Sequence, residues 1–465
     1  MITQKIWVLL LILYWGALAP NTWAQIKNTG KPFITNYAPS DYHAHDQNWC
    51  MVQDRRGVLY VGNSTSLLEF DGVQWSNIEV PNKSTIRSLV LGHDGVVYVG
   101  GQNFLGYVAT NAQGRNYLVS FRDQIPKETA EFRDVWEMYQ TANEGIVCRT
   151  RDALFIIKNK KVSVIAPQKE RFSFGSMAGG NFFVKQPDLG NFVLENGQLK
   201  PLPVLGQERY RNSFPFGKGK TLLLAQRAIN VYDGKSVKQF SASLDEYFKK
   251  FRIYCSAKIN ENYFAIGTSN GGILIIDKNG SIVQHLHKGN GLLDNIIYCL
   301  YVDQNQNLWA GLSKGIAQIQ VNSPFSVFDA SMGLDGATYN TLVSQNRLIV
   351  ATSSGIYYKN WKPYENPIDD SIRFQTFPNS KRQVWQLKAF KGEILAAYNP
   401  GLYRIEDKNT AWVNADVPEI PGNVWTMIPV LENPNYVMIG TIGGLALLEW
   451  KDNHWLLKHI FKGYS

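Results

Sequence analysis

Short apolar runs bounded by Gly, Asn and Asp recur from one end of the chain to the other. Three stretches make the pattern plain. Asp54 leads through Gly57 into Leu59-Tyr60-Val61-Gly62, followed by Leu67-Leu68-Glu69-Phe70-Asp71-Gly72. Asp303 leads into Leu308-Trp309-Ala310-Gly311 and then Gly315-Ile316. Tyr436-Val437-Met438-Ile439-Gly440-Thr441 leads into Gly443-Gly444-Leu445. Each reads as a turn, an apolar strand closing on a small residue, a glycine turn and a second strand, with β-branched and aromatic residues on the pleat and Gly, Asn or Asp at the bends. The glycine after the second strand permits positive φ in its hairpin turn.

Ten such units are found, marked by Gly62, Gly100, Cys148, Val184, Leu224, Gly267, Gly311, Ala351, Ala396 and Gly440, at a mean spacing of 42 residues. The fourth and fifth, around Val184 and Leu224, keep the strand but lose the glycine. The last unit divides into four strands: Asn423 to Val430, Tyr436 to Thr441, Leu445 to Trp450 and Trp455 to Phe461. A period of about 40–45 residues with four short strands is that of a β-propeller blade. Ten blades exceed the usual four to eight of one ring. Lys31-Pro32-Phe33 and Ser323-Pro324-Phe325 both look like the opening of a ring, with seven units between them. The expected fold is therefore all-β: a seven-bladed propeller over 25–322, then three blades of an incomplete second propeller over 323–465. The strand around Phe33 should complete the seventh blade.

Composition narrows the class. Aromatics reach 13% and charged residues only 18%, which excludes a disordered chain or a coiled coil. Residues 1–24 read as a secretory signal peptide: Lys5, an apolar stretch from Ile6 to Ala19, and a small Ala24. Export is the expectation, with membrane attachment only through that leader or a segment beyond this sequence. The net charge of +9 is spread along the chain without a basic run, so nucleic acid is not an expected partner.

The repeat resembles that of the two-component regulator propeller family. Gly291-Leu292-Leu293-Asp294-Asn295 with Tyr298, Asp303, Asn307-Leu308-Trp309-Ala310-Gly311 and Gly315-Ile316 is the best copy; Asn423-Val424-Trp425 with Gly440-Thr441 and Gly444-Leu445 is another. The resemblance implies two propellers forming the extracytoplasmic sensor of a bacterial regulator, with an immunoglobulin-like domain, a membrane span and a kinase or DNA-binding output downstream. Its ligands are often oligosaccharides. This chain has three blades where a second full ring is expected and carries none of the output, so it is expected to be part of a longer protein. The resemblance implies no cofactor and no catalytic residue, and is compatible with a homodimer. An exported propeller enzyme acting on polysaccharide, as lyase or hydrolase, and an adhesion or scaffold module are the alternatives.

Aligned on the repeat, the first strands place Trp49, Arg87, Trp136, Tyr254, Tyr298, Trp385 and Trp425 at corresponding positions. In a propeller the first strands line the central channel. Aromatics there, with amides such as Asn48, Asn295 and Asn423 beside them, could stack on a sugar ring and bond its hydroxyls. Trp49, Arg87, Trp136, Tyr254 and Tyr298 are thus the candidate ligand-binding residues. The plainer reading, favoured for the aromatics, packs them between blades as core. Arg87 breaks the series and is the better functional candidate.

Other constellations carry less. Cys50 and Cys299 occupy equivalent places in the first and seventh blades, where strand separation disfavours a disulfide. Cys148 and Cys255 read as small buried strand residues. His43-Ala44-His45 and His285-Leu286-His287 each put two imidazoles on one strand face but bring no further ligand, so no metal site is expected. Asp54, Asp94 and Asp303 recur at hairpins, which is turn chemistry rather than paired acids.

Overall fold

A computed structural model describes residues 25–461 and 463, apart from 170, 179, 206–207, 363–365, 369–372, 379, 400, 406–411, 415–419 and 421. The leader expected over 1–24 lies outside the described residues. Two compact units divide at Ser326 and Val327.

The first unit holds seven four-stranded antiparallel sheets. Six follow chain order, over residues 48–79, 86–120, 137–165, 174–201, 210–239 and 253–286. The seventh takes Ile297–Val302, Leu308–Leu312 and Ile316–Ile319 from one end of the unit and its fourth strand, Ile34–Tyr37, from the other. The register runs from Ile34 opposite Ile319 to Tyr37 opposite Ile316. Each sheet's first strand lies beside that of the next, and the seventh returns to the first. Polar bonds fasten this return: Asn48 Nδ2 donates to the Gly315 carbonyl at 3.0 Å, and Gln304 donates its backbone N–H to Gln53 Oε1 at 2.9 Å. Asn48 is fully buried, so its donor sits where an unmet partner would be costly.

The core is not one mass but a series of seams. Met51, Val61 and Leu68 of the first sheet pack with Trp309 and Ile316 of the seventh. Val52, Tyr60 and Leu67 pack on the other side with Leu89, Val97 and Val99 of the second sheet. Each sheet thus buries both faces, which is why its second and third strands read as continuous apolar runs rather than alternating ones.

The glycines that close the second strands have a task apart from that of the turn glycines after them. Gly62, Gly100, Gly267, Gly311 and Gly440 do not have positive φ. A Cβ on Gly311 would lie 2.5 Å from Cys299 Sγ and 2.6 Å from the Asn48 carbonyl oxygen of the neighbouring sheet. A Cβ on Gly267 would meet Cys255 Sγ at 2.5 Å and Ile297 Cγ2 at 2.7 Å. Close approach of the next first strand requires the glycine; the positive φ belongs to later residues such as Gly315 at 93° and Gly444 at 118°. The repeated aspartates do hold turns. Asp54 Oδ1 accepts from the backbone of Arg56 and Val58 at 2.9 and 3.1 Å, and Asp303 Oδ1 from Asn307 at 2.8 Å.

A nine-residue helix interrupts the strands after the fifth sheet. In Ala242–Lys250 the buried Leu244 and Phe248 stand four residues apart and dock on the fifth and sixth sheets. The histidine pairs are not strand-borne as units: His43 and His45 lie between the short helix Pro39–Tyr42 and the strand that starts at Asn48, and His287 lies just past the strand that carries His285. Among the described residues no group of three His, Cys, Asp or Glu could hold a metal, and all four cysteines are free thiols.

The second unit contains three four-stranded sheets, over 338–376, 384–414 and 424–461. Seams bury Ala351, Phe377 and Leu387 between the first two, and Leu395, Val424 and Ile439 between the last two. Tyr339 and Val343 in its first sheet and Trp425, Ile428 and Leu456 in its last are exposed. No helix of the described residues is long and apolar enough to cross a membrane.

Candidate functional site

A bulge repeated in the first strands builds the site. Pairing skips one residue between 48 and 50, 86 and 88, 210 and 212, 253 and 255, and 297 and 299. The skipped residues are Trp49, Arg87, Arg211, Tyr254 and Tyr298. A bulge re-aims the side chain it carries. In the third and fourth sheets the residues at this level are Glu137 and Phe174, opposite Arg149 and Lys185. All seven line one cavity of about 210 Å³.

All five sequence candidates, Trp49, Arg87, Trp136, Tyr254 and Tyr298, border that cavity. Trp136 stands one residue before the equivalent position, which Glu137 occupies, and is 37% exposed. Trp385 and Trp425 belong to the second unit and are not part of this cavity. The sequence reading missed Glu137, Phe174 and Arg211. Arg211 precedes Leu224 by the same spacing that separates Arg87 from Gly100 and Tyr298 from Gly311, so the repeat register does point to it. The lost glycine at Leu224 hides the signal. In the third and fourth units a shorter hairpin shifts the spacing.

The side chains stack on one another rather than packing between sheets. The Arg87 guanidinium lies 3.9 Å from the Trp49 ring centroid and 5.3 Å from that of Trp136. Trp49 stacks on Tyr298 at 4.2 Å and 17°. Tyr298 meets Tyr254 at 5.6 Å, Tyr254 meets the Arg211 guanidinium at 5.1 Å, and Arg211 lies 5.2 Å from Phe174. Aromatic faces are electron-rich, so each guanidinium is held by its neighbours' quadrupoles. Trp49 is further fixed by Nε1 donating to Ser64 Oγ at 2.9 Å.

The charges differ in how they are met. Arg87 Nε donates to Asp134 Oδ1 at 3.1 Å, and Arg149 pairs with Glu137. No carboxylate among the described residues pairs with Arg211. Burial lowers the affinity of its guanidinium for the proton, and the Tyr254, Glu137 and Cys255 side chains only partly oppose this. Three buried polar atoms on this cavity have no hydrogen-bond partner: Arg87 Nη1, Arg211 Nε and Ser256 Oγ. Beneath the bulges, Cys255 and Cys299 form part of the wall. Burial pushes both thiols up, Cys299 to about 12, so neither is poised as a nucleophile.

Residues 291–314, the first and second strands of the seventh sheet and the turns around them, match the family described as "Two component regulator propeller". The chain carries the two-component regulator propeller repeat. Among solved structures the chain is similar to the extracellular domain of the hybrid two component system BT3049 from B. thetaiotaomicron, with a TM-score of 0.67, 14% identity, and coverage of 92% of this chain and 60% of that one. It is also similar to the extracellular domain of BT4673, described as a one component system from the same organism, at a TM-score of 0.48, 16% identity, and coverage of 92% of this chain and 61% of that one. A third similarity is to virginiamycin B lyase from Staphylococcus aureus, at a TM-score of 0.47, 10% identity, and coverage of 62% of this chain and 98% of that one. The chain spans about 60% of the length of the first two. No curated protein matches it. At these identities the BT3049 likeness bears on the fold alone.

Proposed function

We propose that the chain is the ligand-sensing region of an extracytoplasmic regulator, and that it binds an oligosaccharide without transforming it. In this reading the first seven sheets are one closed seven-bladed ring over 25–322. The three sheets of 323–465 belong to a second propeller, whose further blades would cover the exposed faces at Tyr339 and Val343 and at Trp425 and Ile428. The observation that carries the reading is the convergence of one residue from each of seven sheets on one cavity. Trp49, Tyr298 and Tyr254 offer flat apolar faces for a pyranose ring, and Asn212 and Ser256 offer polar atoms among the same walls. The repeat it shares with two-component regulators supports the signalling role.

Binding without turnover is supported by the donor set. Glycoside cleavage in most families needs two carboxyl groups across the scissile bond. Glu137 is the one carboxylate among the described residues lining the cavity, and Arg149 already holds it. Signal output would then follow from a ligand that binds one arrangement of the longer protein better than another, since only differential affinity shifts such an equilibrium. Homodimers are one form that arrangement can take.

Calorimetric titration of the chain with a panel of oligosaccharides, paired with product analysis, tests this. The expected result is saturable binding that is weakened at least about tenfold by Trp49→Ala, with the sugar recovered intact. Binding unaffected by Trp49→Ala, or release of shortened sugars, would overturn it.

A further inference from the structure

The cavity carries more cationic donor capacity than the fold itself uses. Charge balance among its neighbours is the first point. Asp134 holds Arg87 and Glu137 holds Arg149, which leaves Arg211 as the cation with no ionic partner among the described residues. The second point is desolvation. Arg87 Nη1 and Arg211 Nε are buried N–H donors without an acceptor, and both side chains border the same space. A buried donor left unmet is costly, and more so when charged. The third point is rigidity. Arg87 is clamped between Trp49 and Trp136, and Arg211 between Tyr254 and Phe174. Side chains held this way lose little further freedom when they bind.

Neutral sugars would leave this arrangement half used, since hydroxyls match single donors and not a fixed guanidinium fork. A planar or tetrahedral oxyanion matches it, because carboxylates and sulfates accept charge-assisted bonds from arginine. The structure assigns Arg211, with Arg87, as an oxyanion-recognising pair; resting on the saccharide-binding reading above, we infer that the ligand is an acidic oligosaccharide bearing a carboxylate or sulfate. The ring would stack against Trp49, Tyr298 or Tyr254 while its anionic group reaches Arg211. Glu137 does not oppose this, because Arg149 neutralises it.

The test is a glycan array containing uronate-bearing, sulfated and neutral oligosaccharides, read with the whole chain, followed by titration of the best hit. Uronate and sulfate arms separate the two sources of the anion. Binding confined to acidic glycans is expected, with Arg211→Gln weakening it at least about tenfold and Arg211→Lys keeping part of it. Unchanged circular dichroism and melting temperature show that each variant is folded. Should Arg211→Gln fail to fold, Arg211→Lys and the salt dependence of wild-type binding carry the test: affinity must fall as ionic strength rises. Neutral glycans bound as tightly as acidic ones, or affinity untouched by Arg211→Gln, would overturn the acidic assignment and leave saccharide binding standing. No glycan bound at all would overturn both.

Discussion

Arg87 lies face-on to Trp49, 3.9 Å from guanidinium carbon to ring centroid, while its Nε holds Asp134 Oδ1 at 3.1 Å. Trp49 opens the first sheet, Arg87 the second, and Asp134 stands just before the third. One side chain therefore ties three consecutive sheets at the rim of the cavity. Both ionic partners are about four-fifths buried, with side chains 20% and 19% exposed. Arg87→Ala should lower unfolding stability by about 1–3 kcal/mol, since it removes the cation–π contact and leaves Asp134 without its partner. Arg87→Lys should cost less. Urea unfolding measures both; an Arg87→Ala midpoint equal to wild type would refute the linking role.

Close approach at Gly311 makes a sharper forecast. Its hypothetical Cβ meets a backbone oxygen, that of Asn48, at 2.6 Å, and backbone yields less readily than a side-chain tip. Gly311→Ala should destabilise the chain by about 1–3 kcal/mol or more through overpacking at the seam between the seventh and first sheets. Gly114, which has open space around its Cβ, supplies the contrast: its alanine variant should show only the smaller strain of positive φ. Thermal melts rank the two. A Gly114 variant worse than the Gly311 one would contradict the packing account.

Buried hydroxyls and thiols predict alkaline lability. Burial raises Tyr42 and Tyr60 to about 12, with neighbouring carboxylates adding to it, and raises Cys299 to about 12. Cys50 and Cys255 are raised too, mainly by burial. A folded-state value above the unfolded one favours the neutral form in the fold. Its contribution is complete below the unfolded value and is lost as pH climbs towards the folded one. The urea midpoint should therefore stay level from about pH 7 to 8.5 and decline from about pH 9, as unfolded thiols and then phenols ionise first. A midpoint constant to pH 11 would contradict it.

Among the described residues, the seam between the fourth and fifth sheets has the smallest buried cluster of the first unit. Its buried cluster is Leu205, Tyr210, Leu223 and Ala225, beside a void of about 20 Å³. Lys185, 6% exposed, sits at that void with its ammonium pKa lowered by burial. Amide exchange should be faster over 174–225 than over 297–319, because local opening follows the weakest packing. Equal protection in the two segments would rule this out.

These same residues show what the sequence made legible. The unit length, the four strands of the last sheet and the pairing of Ile34–Tyr37 with the far end all follow from hydrophobic runs and turn residues. The cavity residues Trp49, Arg87, Tyr254 and Tyr298 were found because a fixed spacing precedes an intact glycine. Arg211 and Phe174 were missed where Leu224 and Val184 replace that glycine. Local rules find the turn glycines such as Gly444, whereas Gly311 answers to Asn48, which lies far away in the chain. The helix at Ala242–Lys250 was missed as well, since only two buried apolar residues, Leu244 and Phe248, mark its inner face.

The most direct test is a crystal structure of the chain grown with the oligosaccharide that binds it best. The account places the sugar ring against Trp49, Tyr298 or Tyr254, within hydrogen-bond reach of Arg87 or Arg211. Density for the sugar on an outer strand or on the second unit, with this cavity unchanged, would contradict it.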